Sequence, residues 1–408
     1  MASAYRRGMP FDVTDFQDSV PDGRANAPGS RRLVAGWLFA ISGMILVMVM
    51  LGGLTRLTGS GLSIMEWAPL SGALPPLDHA QWEKLYALYK QIPQYKLVND
   101  GFGLAGFQRI FWLEWFHRLW GRLIGVAVLV PLLWFWGTRR LERRLAPRLL
   151  GIFLLGGLQG AVGWFMVASG FFPDSTAVAP ARLVIHLGLA LVLHAAILWT
   201  GLGVLHPVPD APVRARTPRR AVALTSVLVG LTILAGGFVA GTHAGLEYNT
   251  FPLMDGRLVP RAYADLTPFW RNLTQNVAAV QFDHRVLATL TAFSTVAAVG
   301  IGLRARLPAR ARWPVLALGV LVAVQYALGV ATLLLVVPIP LASAHQANAV
   351  LVLTAALVAW HALRPGAPAS LPSGDHSRVE RDAIVIRAGG AGAAGTETPP
   401  RAAPAAPT

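Results

Sequence analysis

From Trp313 to Leu363 the chain carries no Asp, Glu, Lys or Arg, and six other predominantly apolar stretches precede this one. A bilayer-crossing helix needs about 20 apolar residues. The earlier stretches run over 33–54, about 115–137, 149–172, 183–205, 221–241 and about 282–303. The last is too long for one helix, and Pro338 and Pro340 divide it in two. The expectation is an all-α polytopic membrane protein with eight transmembrane helices. Hydrophobic residues make up 54% against 13% charged, and the mean hydropathy is +0.51. Soluble domains carry roughly 25% charged residues, so composition excludes that class.

The charges sit between the spans. Arg139, Arg140, Arg143, Arg144 and Arg148 form one basic loop, with Arg214, Arg216, Arg219 and Arg220 in the next. Arg304, Arg306, Arg310 and Arg312 form a third, and Arg31 and Arg32 precede the first span. With eight spans all of these fall on one side, which places both termini in the cytoplasm. The net charge of +15 is thereby a topological signal, and nucleic acid is not an expected partner. The opposite side receives a long segment, 55–113, a short one near Pro173, a medium one, 242–280, and a turn at Pro338. No cleavable signal peptide is expected, because the first apolar run is too long. The Ala/Pro/Gly-rich tail, 365–408, reads as disordered.

The halves repeat. "LGGLTRLTGSGL" at 51–62 corresponds to "AGGFVAGTHAGL" at 235–246, and "EWFHRLWGRL" from Glu114 to "QFDHRVLATL" from Gln281. "QGAVGW" from Gln159 corresponds to "QYALGV" from Gln325, and His186 to His345. Each unit has an even number of spans, so the repeats are parallel. The boundaries are a 1–31 tail, a 32–205 four-helix bundle, a 206–220 basic linker, a 221–364 four-helix bundle and the tail.

His117, His186, His284 and His345 are expected in the first turns of the second, fourth, sixth and eighth spans, all toward the outer face. Polar side chains within a membrane are expensive and have a partner or a task. Zinc favours four ligands, often acidic or thiolate, and the chain has no cysteine. Histidine pairs on facing helices of a bundle suit axial ligation of a porphyrin iron. The repeat supplies His117/His186 and His284/His345, with pairing across the halves left open. Arg118, Arg182 and Arg285 are candidates for propionates. Both sites in one leaflet favour chemistry or short-range transfer over conduction across the membrane.

The halves differ at one position. Glu114 lies three residues before His117, whereas Gln281 lies three before His284. Positions three apart share a helix face. A carboxylate there exchanges protons or stabilises positive charge, and an amide does neither well. The plainer alternative is a carboxylate paired with Arg118. His194 and His243 are weaker candidates, and His79, His206, His361 and His376 read as loop or boundary residues. In the long outer segment Trp82, Tyr86 and Tyr89 follow a helical spacing, as for a lid or an interfacial surface.

Together "GGLTRLTGSGLSIMEW", "EWFHRLWGR", "FDHR" and "AHQ" resemble haem A synthase over about 32–364, in the branch of the mitochondrial assembly factor and its alphaproteobacterial relatives. The resemblance implies oxidation of the C8 methyl of haem O to a formyl group by successive hydroxylations, for terminal oxidase biogenesis. It implies haem b as cofactor, with His284 and His345 as its iron ligands and Arg285 nearby. His117, His186 and Arg118 would bind the substrate, haem O, and Glu114 would be catalytic. Haem O synthase and an unidentified electron acceptor are implied partners beside the lipid bilayer, and a homo-oligomer is allowed. A cysteine pair common in Gram-positive members is missing. The alternatives are a b-type electron-transfer subunit and a haem transporter or chaperone without chemistry.

Overall fold

A computed structural model describes Ala25 and residues 27–173, 175–208 and 215–365. The readings for most of the two tails, for Arg214 and for His376 lie outside these residues, while 28–31 of the expected first tail already belong to α1. Eleven α-helices form in chain order among them. They are α1 (Pro28–Leu57), α2 (His79–Tyr89), α3 (Pro93–Val98), α4 (Gly103–Gly137), α5 (Leu145–Val167) and α6 (Pro180–Leu205). Then come α7 (Arg216–Gly241), α8 (Asn272–Gln275), α9 (Val277–Arg304), α10 (Ala309–Leu334) and α11 (Ile339–Ala362). Eight of them, all but α2, α3 and α8, are long and apolar enough to cross a bilayer. The chain is an all-α polytopic membrane protein.

Proline sets several starts. Pro28 and Pro180 open α1 and α6, where the missing N–H costs nothing. Pro338 precedes α11 and Pro340 sits in its first turn, which ends the long apolar run as two helices. Between α10 and α11, Val336 and Val337 both take left-handed backbone, φ 58° and 57°. Asn276 caps α9 by accepting from the N–H groups of Ala278 and Ala279 at 2.9 and 3.2 Å.

In the first half α1 packs on α4 and α6, and α5 on the same two helices. In the second, α7 packs on α9 and α11, and α10 on α9 and α11. Leu38, Ile41, Ile45, Leu132, Leu149 and Ile197 centre the first core. A second cluster, including Leu198, Val229, Leu318 and Leu353, lies where α6 and α7 meet α10 and α11. Polar contacts cross the seam. Arg56 donates to the carbonyl of Ala240 at 3.0 Å, and Gln346 to that of Val49 at 2.5 Å. His194, 2% exposed, bridges Ser42 at 3.2 Å and Thr354 at 2.9 Å. It ties α1, α6 and α11 together.

One expectation needs correction. The second span starts not near Trp115 but at Gly103, so part of the expected outer loop is helix. Its added turns carry Phe107, Ile110 and Phe111, which are buried with Tyr86, Tyr89, Leu62 and Ile92. Aromatic packing with the outer segment, rather than lipid, stabilises this extension. His117 consequently lies about 21 Å along α4 from Gly103, not in its first turn. His361, expected at a boundary, lies in the last turn of α11, where it is buried edge-on to Trp199 at 5.0 Å.

Candidate functional site

Each of the four repeated histidines rests on a glycine of a neighbouring helix. A Cβ built on Gly52 of α1 would lie 3.1 Å from Cε1 of His117, and one on Gly163 of α5 2.9 Å from Cε1 of His186. In the second half the distances are 3.0 Å from Gly236 of α7 to His284 and 2.9 Å from Gly329 of α10 to His345. Gly52 and Gly236 are repeat mates, as are Gly163 and Gly329. The imidazoles thus lie flush against a facing helix, at a separation that even alanine would disturb.

Hydrogen bonds hold three of the rings. Gln159 donates to the carbonyl of His186 at 3.0 Å, with its nitrogen 3.1 and 3.4 Å from Nδ1 and Nε2 of the ring. Gln325 treats His345 the same way, at 3.0, 3.2 and 3.4 Å. Gln and Gly four residues apart on one helix face therefore both touch one histidine. The spacing Gln-x-x-x-Gly is visible in the sequence, but its target is not. Nδ1 of His284 lies 3.1 Å from the carbonyl oxygen of Thr232. Nδ1 of His117 is buried without a partner.

His117 interacts electrostatically with His186, and His284 with His345. All four are half-buried although each sits inside a spanning helix. No cluster of three or more His, Cys, Asp or Glu side chains suited to a metal ion occurs among the described residues. Two accessible imidazoles per half, set against glycine and lacking a third ligand, fit a porphyrin iron taking two axial ligands. They do not fit zinc.

Glu114, 3% exposed, accepts four hydrogen bonds. Ser63 Oγ and the Ile64 N–H donate to Oε2 at 2.7 and 2.9 Å, and Arg118 donates to Oε1 from Nη2 at 2.6 Å and Nε at 3.1 Å. Arg118 also donates to the carbonyls of Ile64 and Glu66 at 2.8 and 2.9 Å. The plainer expectation, a Glu114–Arg118 pair, is thus present, and with it a clamp on the outer loop. The second half repeats the clamp with an uncharged amide in place of the carboxylate. Gln281 donates to the carbonyls of Ala244 and Glu247, each at 2.6 Å, and accepts from Arg285 at 2.7 Å. Arg285 reaches the carbonyls of Tyr248 and Thr250 at 2.7 and 2.9 Å. Arg182 is engaged elsewhere, on the carbonyl of Phe165 at 2.8 Å and over that residue's ring.

The lid-like segment is folded and docked. Trp82 of α2 meets Phe111 edge-on at 4.8 Å. Tyr89 donates to Gln94 and accepts from Asn99, and Gln94 holds the carbonyl of Gly59. The hydroxyls of Tyr86 and Tyr95 lie 3.1 Å apart. That bond first, and burial second, push the Tyr86 phenol up to about 12.

Comparison with known proteins adds an independent finding. Residues 35–357 match a family described as cytochrome oxidase assembly protein, COX15-CtaA. "Heme A synthase" of Granulibacter bethesdensis is 61% identical over 350 residues, covering 85% of this chain and 92% of that protein. "Heme A synthase 2" of Acidiphilium cryptum is 50% identical over 353 residues, 85% and 96% of the respective chains. "Heme A synthase" of Rhodospirillum centenum is 48% identical over 355 residues, 86% and 94%.

Proposed function

Because the chain belongs to the COX15-CtaA family of cytochrome oxidase assembly proteins, we infer that it is a haem A synthase, an oxidoreductase of the inner membrane acting on haem O. It converts the C8 methyl to a formyl group. Each hydroxylation inserts oxygen from water and releases a pair of protons and a pair of electrons to an acceptor, and the gem-diol then loses water. The observation that carries the assignment of roles is the contrast between Glu114 and Gln281. The two occupy the same place in equivalent clamps, yet only the first half offers a carboxylate.

On this reading the two halves, 32–205 and 221–364, act as two four-helix bundles with one porphyrin each. His117 and His186 bind the iron of the substrate, and Arg118 holds the outer loop over it. His284 and His345 hold haem b, with Arg285 in the corresponding place. When bound, haem b supplies one-electron redox chemistry. Glu114 provides negative charge beside the methyl as positive charge develops there, in a site where water is scarce and such charge counts for more than in bulk solvent. Its oxygens are engaged by Ser63, Ile64 and Arg118, which favours electrostatic stabilisation over the role of a free base.

Both termini are cytoplasmic and the sites lie toward the periplasm, in keeping with the basic loops. Reporter fusions at Ala146 and Pro308 should read cytoplasmic, and one near Tyr86 periplasmic. Haem O synthase upstream and a terminal oxidase downstream are the partners this chemistry requires. The decisive test supplies haem O and an electron acceptor to the purified protein. Appearance of hydroxymethyl and formyl porphyrin is the expected result. Recovery of unchanged haem O would leave a carrier or a cytochrome as the function.

A further inference from the structure

The two halves hold their histidines with unequal firmness. His345 is fixed by a chain of contacts. Gln325 grips its backbone and ring, and Asn348 in turn donates to Oε1 of Gln325 at 2.9 Å and to the carbonyl of Leu321 at 3.0 Å. Every polar atom of the Gln325 amide is thereby engaged, and the amide cannot rotate without breaking bonds. In the first half Gln159 grips His186 in the same way, but its Oε1 is buried without a partner. The residue three places after His186 is Leu189, whereas Asn348 is three places after His345. Leucine has no donor to offer.

The other histidine of each half shows the same bias. His284 Nδ1 meets the carbonyl oxygen of Thr232, four residues before Gly236. Met48, four residues before Gly52, holds the matching place, and His117 Nδ1 has no partner. A hydrogen bond from Nδ1–H to a carbonyl fixes the tautomer and orientation of an imidazole and raises the donor strength of Nε2. His284 thus has the Nδ1 contact that His117 lacks, and Gln325, which carries His345, has the amide-oxygen partner that Gln159 lacks.

We propose that Asn348, acting through Gln325, and the Thr232 carbonyl, acting on His284, are the positioning groups that make the second half retain its porphyrin, and that Leu189, with no donor for Gln159, and the unpartnered Nδ1 of His117 leave the first half able to exchange its own. The proposal rests on the reading of two porphyrin sites and deepens it. A synthase must admit haem O and release haem A while keeping its cofactor, and a duplicated scaffold would otherwise bind both alike. The device lies one layer behind the ligands, so all four histidines are retained.

The test uses the full-length protein in detergent, carrying haem b and loaded with haem O, with apomyoglobin in excess as the trap for released porphyrin. Asn348→Leu copies the first half into the second. Loss of haem b should accelerate about 10–100-fold, the usual effect of removing such support. The haem b midpoint potential and low-spin signals should shift, and release from the first half should stay as in the unaltered protein. Leu189→Asn makes the reverse exchange and should slow release of the first-half porphyrin roughly tenfold. Asn348→Asp keeps the size and removes both donors, and serves if the leucine variant does not fold. Equal release from both halves of the unaltered protein would overturn the proposal. So would a haem b release rate within about twofold of the starting value in both Asn348 variants. Failure to form the formyl product would instead defeat the enzymatic reading, and would leave the comparison of release rates intact.

Discussion

Gln346, the residue after His345, lays its side-chain amide against Gly53, the residue after the glycine on which His117 rests. The amide also donates to the carbonyl of Val49. A histidine of one half is therefore joined to a histidine of the other by a single side chain and two glycines. The repeat places Leu187, next to His186, against Gly237, next to Gly236 and His284, so the same link recurs in apolar form.

A methyl group on Gly53 would collide with that amide. Gly53→Ala should destabilise the protein by about 1–3 kcal/mol, the usual cost of overpacking. The double variant Gly53→Ala/Gln346→Ala should recover most of the loss. Thermal unfolding of the four members of this cycle measures the coupling, and additive effects would show that the two residues do not share the space.

Glu114→Gln is not a silent exchange. An amide has one acceptor oxygen for the two sites, so its nitrogen must face either the Ile64 N–H or Arg118, and the loop clamp loses a bond and gains a conflict costing about 1–3 kcal/mol. Formyl product should fall at least about tenfold, a lower bound set below the usual effect of removing one electrostatic stabiliser. The haem b spectrum should persist. Ser63→Ala removes one clamp bond and keeps the carboxylate, so it should cost much less product. Equal losses in the two variants would assign Glu114 to loop anchoring alone, and normal output from a stable Glu114→Gln protein would remove it from the reaction.

Adding a methyl at Gly329 should push the His345 ring off its helix and deplete haem b, while Gly163→Ala should act on His186 and weaken binding of haem O. Optical spectra of the two purified variants, with and without added haem O, separate the effects. Loss of haem b from Gly163→Ala alone would contradict the pairing of rings within halves.

The Tyr86 phenol is held up to about 12 in the folded protein, against about 10 in an unfolded chain. A raised value favours the folded state fully below pH ~10, and that contribution is lost as pH rises toward the folded value. Docking of the outer segment should therefore weaken in this alkaline window, followed by tyrosinate absorbance and tryptophan emission. Tyr86→Phe should remove the corresponding step. An unchanged alkaline transition in that variant would place its origin elsewhere.

Hydropathy alone located the spans, because burial in lipid is a property of each segment taken singly. The repeat made the histidines legible for the same reason, since similar local sequences need no third dimension to be compared. What lay hidden depends on pairs of helices. The glycines were visible as a motif, yet which ring each faces follows from interhelical contact. The extension of α4 to Gly103 is stabilised by Tyr86 and Tyr89, residues outside the span, so no window along 103–114 could reveal it. Asn348 escaped notice because one polar residue among apolar ones carries no period, and its meaning depends on Gln325 across the gap.

The four glycine seats make the protein a caliper. Each jaw is a helix pair closed until ring meets backbone, so the opening between two imidazoles is set by how closely α1 lies to α4, α5 to α6, α7 to α9 and α10 to α11. A sideways shift of either helix in a pair therefore moves the ring that it seats.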